Sequence, residues 1–249
     1  MKKFLLLFTF CALIATQSFA EFEFNFNYNY SRPAGQMMQN IRGVHGLNML
    51  VGYQLKKLPL TIGVDVGYGG YGYQTQRQAY TFDDGSITET NVNVSNNIFN
   101  LMLNAKIHYP NETAVQPYVQ FRGGLSSFYT TLVIEDPEDI DACRPLESTI
   151  LKSSSNLAGS VGIGMKINLS KSSGKNHTFG IDIGSNYVAG GRVNYMSLNK
   201  STTNIAPVGD VSAEFINTHH QVTHKHHVGY IYNTPIRFFD WHIGMYMQF

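Results

Sequence analysis

Residues 22–30 read Phe22-Glu23-Phe24-Asn25-Phe26-Asn27-Tyr28-Asn29-Tyr30. Every second residue is aromatic and every residue between is polar. Side chains of an extended strand alternate between its two faces, so this stretch puts rings on one side and a carboxylate and amides on the other. A helix would spread both chemistries around its axis. The same period governs 157–169, where Leu157, Val161, Ile163, Met165, Ile167 and Leu169 share one face and Ala158, Ser160, Gly162, Gly164, Lys166 and Asn168 the other. Six further segments fit the template: 44–56, 59–75, 94–109, 115–133, 177–191 and 236–249. Eight strands are therefore expected.

Their connections alternate in length. Short links run from Lys56 to Pro59, Pro110 to Ala114 and Ser170 to Asn176; long ones cover 31–43, 76–93, 134–152 and 192–235. Such alternation between tight turns and long loops is characteristic of transmembrane barrels, with the turns periplasmic and the loops outside. The fold class expected is all-β, an eight-stranded antiparallel up-and-down transmembrane β-barrel with both ends on the short-turn side. Closure pairs every backbone group between strands, as hydrocarbon requires. A small soluble lipid-binding barrel would show the same period with its polarity inverted, and period alone does not choose between them. The loop asymmetry and the start of the chain favour the membrane barrel.

That start carries Lys2 and Lys3, an apolar run from Phe4 to Ala15, and then Gln17-Ser18-Phe19-Ala20. Basic end, short apolar stretch and small residues at the exit spell a cleaved secretory signal over 1–20, leaving 21–249 as one barrel. The run is too short for a membrane anchor, and no later apolar run approaches the roughly 20 residues a membrane helix needs. Phe8-Thr9-Phe10 before Cys11 lacks the small residues of a lipoprotein cleavage site. Of the 18 Lys and Arg, Lys2 and Lys3 lie in the signal, so 16 cations face 17 acidic residues in the remainder, and this balance gives no electrostatic footprint for nucleic acid. Only Cys143 survives cleavage, so no intramolecular disulfide staples the fold.

At the other end Phe239, Trp241, Ile243, Met245, Met247 and Phe249 share a face, and the sequence finishes on the aromatic residue. This resembles the terminal strand of bacterial outer-membrane proteins, most closely the small eight-stranded barrels and the outer-membrane β-barrel domain family. The resemblance implies residence in the outer membrane of a Gram-negative cell. It implies contact with outer-membrane lipid and lipopolysaccharide, and Phe249 as part of the insertion signal read by the barrel-insertion machinery. No residue motif assigns the chain to one member.

The inward face of the strands collects Glu23, Asp65, Lys106, His108, Arg122, Lys166, Asp182, Asp240 and His242. Eight strands leave an interior that side chains nearly fill, so these charges must pair or meet trapped water. We expect a polar network of Asp65, Lys106, Arg122, Lys166, Asp182, Asp240 and His242 that plugs the lower lumen, with Arg122 answering Asp65 or Asp182. A proton or ion path is the rival reading. Enzymatic barrels need a nucleophile, a base and an orienting group together. Here His108, His177 and His242 are scattered over three strands, and the Asp240–His242 spacing alone marks no catalytic set. Five of the nine histidines, His219, His220, His224, His226 and His227, crowd one loop segment and offer imidazoles for Zn²⁺, Cu²⁺ or Ni²⁺, against the plainer reading of a solvated, pH-sensitive loop. The 134–152 loop is acidic and reads as solvated surface. No organic cofactor is expected. The function expected is a non-enzymatic barrel, closed to solutes, whose loops meet an extracellular ligand; a lipid-modifying enzyme and a narrow channel remain the alternatives.

Overall fold

The computed structural model describes residues 21–55, 58–81, 87–110, 113–135, 147–171, 178–198, 205–217 and 222–249. Nine strands follow one another: β1 (Glu21–Pro33), β2 (Val44–Leu55), β3 (Leu60–Thr81), β4 (Ile87–His108), β5 (Val115–Ile134), β6 (Glu147–Lys171), β7 (Thr178–Ser197), β8 (Gly209–Asn217) and β9 (Val222–Gln248). All neighbours are antiparallel, in the order β1 through β7 and then β9. β9 returns to β1 in a continuous register from Glu23↔Gln248 to Pro33↔Phe238, sealed by Phe22 N–H to Phe249 O (3.1 Å) and Phe249 N–H to Phe22 O (3.0 Å). Eight strands thus close a barrel, and β8 is an added strand on the outer half of β9.

The period-2 pattern sets which way each residue faces. On β1 the rings of Phe22, Phe24, Phe26 and Tyr28 are exposed, while Glu23, Asn25 and Asn27 are buried in the lumen. On β9 Trp241, Ile243, Met245 and Met247 face out, and His242 and Tyr246 face in. Apolar side chains therefore cover the exterior of a closed sheet, the polarity suited to hydrocarbon and opposite to that of a soluble lipid carrier. Rings gather at both rims of this band. Phe22 meets Tyr53 and Phe24 meets Phe249 at one end; Tyr30, Trp241, Phe239 and Tyr187 form a chain of contacts at the other.

Three segments expected as long loops are largely strand in their described parts. β3 and β4 run on into 76–93, β5 and β6 into 134–152, and β7, β8 and β9 occupy most of the described part of 192–235. The sequence conceals this because the inside-outside phase slips at bulges. In β7 Asp182, Asn186 and Val188 point inward, the register shifts between Ala189 and Arg192, and beyond it Val193 and Tyr195 are the buried ones. A bulge between Gly70 and Gly72 does the same in β3. β2 stops pairing with β3 at Gly70, and above that level β8 lies beside β3. The protein therefore has two storeys, a membrane barrel and an outer ring of hairpins with its own apolar centre, in which Val92, Val94, Leu132, Ile134 and Met196 are buried.

Between the storeys the lumen is apolar. Ile98, Phe128, Tyr195, Tyr232 and Phe238 point inward from four strands, and the first long link packs onto them through a short 3-10 helix, η1 (Gly35–Gln39). Met37 and Ile41 of that link are buried, Asn40 Nδ2 donates to Tyr195 Oη (3.0 Å), and Ser197 Oγ donates to Asn40 O (3.0 Å). The turn into η1 uses Gly35 at φ 60°, a left-handed conformation that a side chain would resist.

Candidate functional site

Two layers of charge fill the lumen below this apolar plug. In the layer nearest the short turns, Lys106 Nζ donates to Asp182 Oδ2 at 2.8 Å and lies 3.5 Å from Glu23 Oε1, while Lys166 Nζ donates to Glu23 Oε2 at 2.5 Å. Two carboxylates balance two ammonium groups, all four buried. Neutral partners complete the layer. Asp182 also accepts from Asn25 Nδ2 (2.7 Å) and Tyr118 Oη (2.6 Å), and Glu23 accepts from Thr61 Oγ1 (3.2 Å).

Both histidines of this layer have roles fixed by their neighbours. Thr61 spends its proton on Glu23, so His108 Nε2, 2.9 Å from Thr61 Oγ1, must be the donor. Tyr118 likewise spends its proton on Asp182, so His242 Nε2 donates to Tyr118 Oη (3.0 Å) and its Nδ1 accepts from Asn186 Nδ2 (3.5 Å). His242 does not pair with Asp240; it meets Tyr118 and Asn186, and its Nε2 lies 3.8 Å from Asp182 Oδ1.

The second layer centres on Arg122. Its Nη2 donates to Asp240 Oδ2 at 3.1 Å, its Nη1 lies 3.7 Å from Asp65 Oδ2, and its Nε donates to Ser160 Oγ at 2.9 Å. Asp65 accepts further from Asn48 and, at 3.5 Å, from Asn104. Arg122 therefore answers Asp65 and Asp240, whereas Asp182, named in the sequence reading as an alternative partner, belongs to Lys106. These partners are reached across the lumen and not along the ladder: Lys166 lies directly opposite Asp182 yet donates to Glu23, and Arg122, which sits between Asn104 and Ser160, reaches Asp240 on β9.

Glycines on the inner wall make room for these groups. A Cβ on Gly164 would sit 2.3 Å from the Tyr118 ring, one on Gly184 2.5 Å from His242, and one on Gly180 2.6 Å from Tyr246. Two small gaps lie among the described lumen residues. A cavity of about 50 Å³ lies where the charged layers meet the apolar plug, bordered by Asp65, Arg122, Asp240, Ile98 and Phe238, with a second of about 10 Å³ beneath it.

All seven residues expected in the lumen network thus point inward, in two layers rather than one. Tyr118, Thr61, Asn25 and Asn48 complete the network and went unnamed, although each shares the inward parity of its strand. Of the histidine tract, His219 and His220 lie outside the described residues, and so do Cys143 and His177. His224 and His226 fall on β9, and only His227 has described side-chain contacts: its Nδ1 is 3.9 Å from Asp210 Oδ2 and its ring 4.3 Å from that of Tyr230. Among the described residues no three metal-ligating side chains come together.

A family model described as the outer membrane protein beta-barrel domain matches residues 4–206. The chain belongs to this family. This outer-membrane barrel also resembles solved structures of the same architecture. The Neisserial surface protein A is 11% identical, with 93% of this chain and 96% of that chain covered at a TM-score of 0.39. A major outer membrane protein from Thermus thermophilus is 13% identical over 93% and 100% of the two chains, with a TM-score of 0.47. Ail, the attachment invasion locus protein of Yersinia pestis, solved with the heparin analogue sucrose octasulfate, is 12% identical over 92% and 97%, with a TM-score of 0.37. At these identities the likeness is one of fold. No curated protein matches the sequence. Family membership places the barrel in the cell outer membrane, with its apolar face in the lipid.

Proposed function

We propose that this outer-membrane barrel is a non-enzymatic protein closed to solute flow, in which the membrane storey is an anchor and the outer hairpins are the interaction surface. The filling of the lumen carries the reading. Two layers of paired charge and an apolar plug stack along the axis, and among the described residues the cavity where they meet, about 50 Å³, holds no more than a few waters. A pore needs a continuous path, and a catalytic site needs substrate access to its polar groups. That the described lumen groups from Glu23 to Asp240 are buried or half-buried against one another speaks against both.

In this reading the signal over residues 1–20 is removed on export, Phe249 belongs to the insertion signal, and the short turns face the periplasm. The outer storey, built from the ends of β3 to β9, then projects beyond lipopolysaccharide headgroups toward an extracellular ligand. His224, His226 and His227 fall on the part of β9 in this outer storey and serve there as a weak metal-binding or pH-responsive surface.

Conductance across a planar bilayer tests the closed lumen. Purified barrel should give no discrete current steps under an applied potential, and reproducible steps would overturn the reading. Lipid A recovered from cells with and without the protein should have the same mass spectrum, since a mass change that depends on the protein would make it a lipid-modifying enzyme. Epitope tags near residue 84 should be reached by antibody on intact cells, and tags near residue 111 should not.

A further inference from the structure

Two arginines stand on the lipid-facing surface just above the upper girdle of rings. Arg32 on β1 and Arg237 on β9 both occupy outward positions and both are exposed. Arg32 lies directly opposite Phe239, and Ala34 N–H donates to Arg237 O (2.9 Å), so the arginines are diagonal neighbours across the β1–β9 seam. Such neighbours have Cα atoms about 7–8 Å apart, within reach of two guanidinium groups closing on one anion. Arg237 lies over the turn at Gly35, where an added Cβ would come 3.5 Å from its Cδ. Arg42 is at the same rim, since it precedes Gly43, which rests against the Tyr30 ring. Arg192 flanks the seam from β7 but is tied to Asn233 through its Nε and Nη2, both at 2.6 Å.

Among the described residues, none of Arg32, Arg42 and Arg237 is ion-paired with a carboxylate. The nearest one along the chain, Asp240, faces the lumen and belongs to Arg122. The height of the cluster says what it meets. From Phe22 at the lower rim to Arg32, the strand rises about 25 Å at ~3.3 Å per residue and a tilt of ~40°, the thickness of the apolar band of such barrels. Directly beneath are Tyr30, stacked on Trp241 with ring centroids 6.0 Å apart, and Phe239, 6.4 Å from Trp241. Rings of this kind mark the headgroup level, and a guanidinium there presents a planar fork that matches phosphate oxygens.

We propose that Arg32 and Arg237, flanked by Arg42, form a clamp for the phosphate of an outer-leaflet phosphoglycolipid, seated on the β1–β9 seam with its acyl chains along the Tyr30, Trp241 and Phe239 face. The leaflet rests on the orientation proposed above; the clamp itself does not, so binding is measured on purified protein, where orientation plays no part. Bisphosphorylated lipid A is added to the barrel in neutral detergent micelles and the bound fraction is read by native mass spectrometry. Lipid A stripped of phosphate and inorganic phosphate serve as the other two probes. Wild type should retain the bisphosphorylated lipid at least about tenfold better than the stripped one, the worth of one or two charge-assisted hydrogen bonds. Arg32→Gln/Arg237→Gln should erase that preference, Arg32→Lys/Arg237→Lys should keep part of it, and Arg77→Gln, a cation of the outer storey, should leave it intact.

Heat-modifiable gel mobility checks that each variant is folded, and the lysine variant carries the test alone if the glutamine variant is not. Undiminished binding by the glutamine variant, or by the lysine variant where it stands alone, overturns the clamp. So does an equal loss in Arg77→Gln, which would mean diffuse charge attraction. Full competition by millimolar inorganic phosphate would reduce the site to a general anion site and overturn the assignment to a lipid.

Discussion

Among the described residues Lys106 is the one side chain hydrogen-bonded to both carboxylates of the lower layer, so Lys106→Met tests whether paired charge holds the barrel together. Methionine keeps the length and apolar stem, so the substitution removes charge without opening a large cavity. The distances of 2.8 Å to Asp182 and 3.5 Å to Glu23 correspond to about 6 and about 5 kcal/mol of gross attraction at an effective dielectric constant of about 20. Desolvation of the ammonium offsets much of this, and removing one partner of a buried pair typically costs about 3–5 kcal/mol. Glu23 keeps Lys166, and Asp182 keeps its bonds from Asn25 and Tyr118, which places the expected loss near the low end, at about 3 kcal/mol. With a urea dependence of about 2 kcal/mol per molar, the midpoint should fall by about 1.5 M. Trp241 is the only tryptophan and faces lipid, so its emission reports unfolding from vesicles directly. Adding Asp182→Asn should restore more than half of the loss, because the stranded charge is then gone and an amide can still meet Tyr118. An unchanged midpoint for Lys106→Met, or a double variant no better than the single one, would refute the reasoning.

Three further outcomes follow. Gly164→Ala should lower the stability by about 1–3 kcal/mol through overpacking against Tyr118, while Gly123→Ala, whose Cβ meets nothing within 4 Å, should be neutral in the same titration. Ile243→Arg puts a charge among acyl chains at a cost of about 2–4 kcal/mol near the midplane and should deplete the folded, heat-modifiable band, whereas His242→Gln, inside the lumen, should leave the band near wild type; the reverse order would mean the faces are exchanged. Deleting Phe249 should cut the amount of folded barrel in outer-membrane fractions more than its small buried area explains, and unchanged amounts would remove it from the insertion signal.

The membrane storey was legible in the sequence because hydrocarbon enforces a strict two-residue period. Phe22 to Tyr30 and Trp241 to Phe249 leave no freedom of register, since a one-residue slip would put Asp240 and His242 into lipid. The outer storey was not legible, for two physical reasons. Its strands are rich in Thr, Asn and Ser, which water tolerates on either face, so 87–95 carries little polarity contrast. Bulges at Gly70–Gly72 and Ala189–Arg192 also reverse the phase, so an uninterrupted pattern could not be followed through them. The apolar plug left a trace in Ile98 and Met102, which share a face with Asn104 and Lys106 and break an otherwise polar inner row. Pairing inside the lumen depends on which strands stand opposite one another, and parity alone does not give that; hence Arg122 was matched to the right side of the barrel but with Asp182 as one of its alternatives.

One strand closes both storeys. The inner half of β9 zips onto β1, and its outer half carries β8, which stands where β1 and β2 have already ended. The hairpins β3–β4 and β5–β6 join segments close along the chain and can form early, but the β1–β9 seam joins its two ends and bears the largest loop-closure entropy. Assembly is therefore gated at its last step: until β9 docks, the sheet keeps two open edges in the bilayer and the hairpins above it lack a wall. A chain arrested at that point would be sensitive to protease on both sides of the membrane at once, and would become resistant on both sides in the same event.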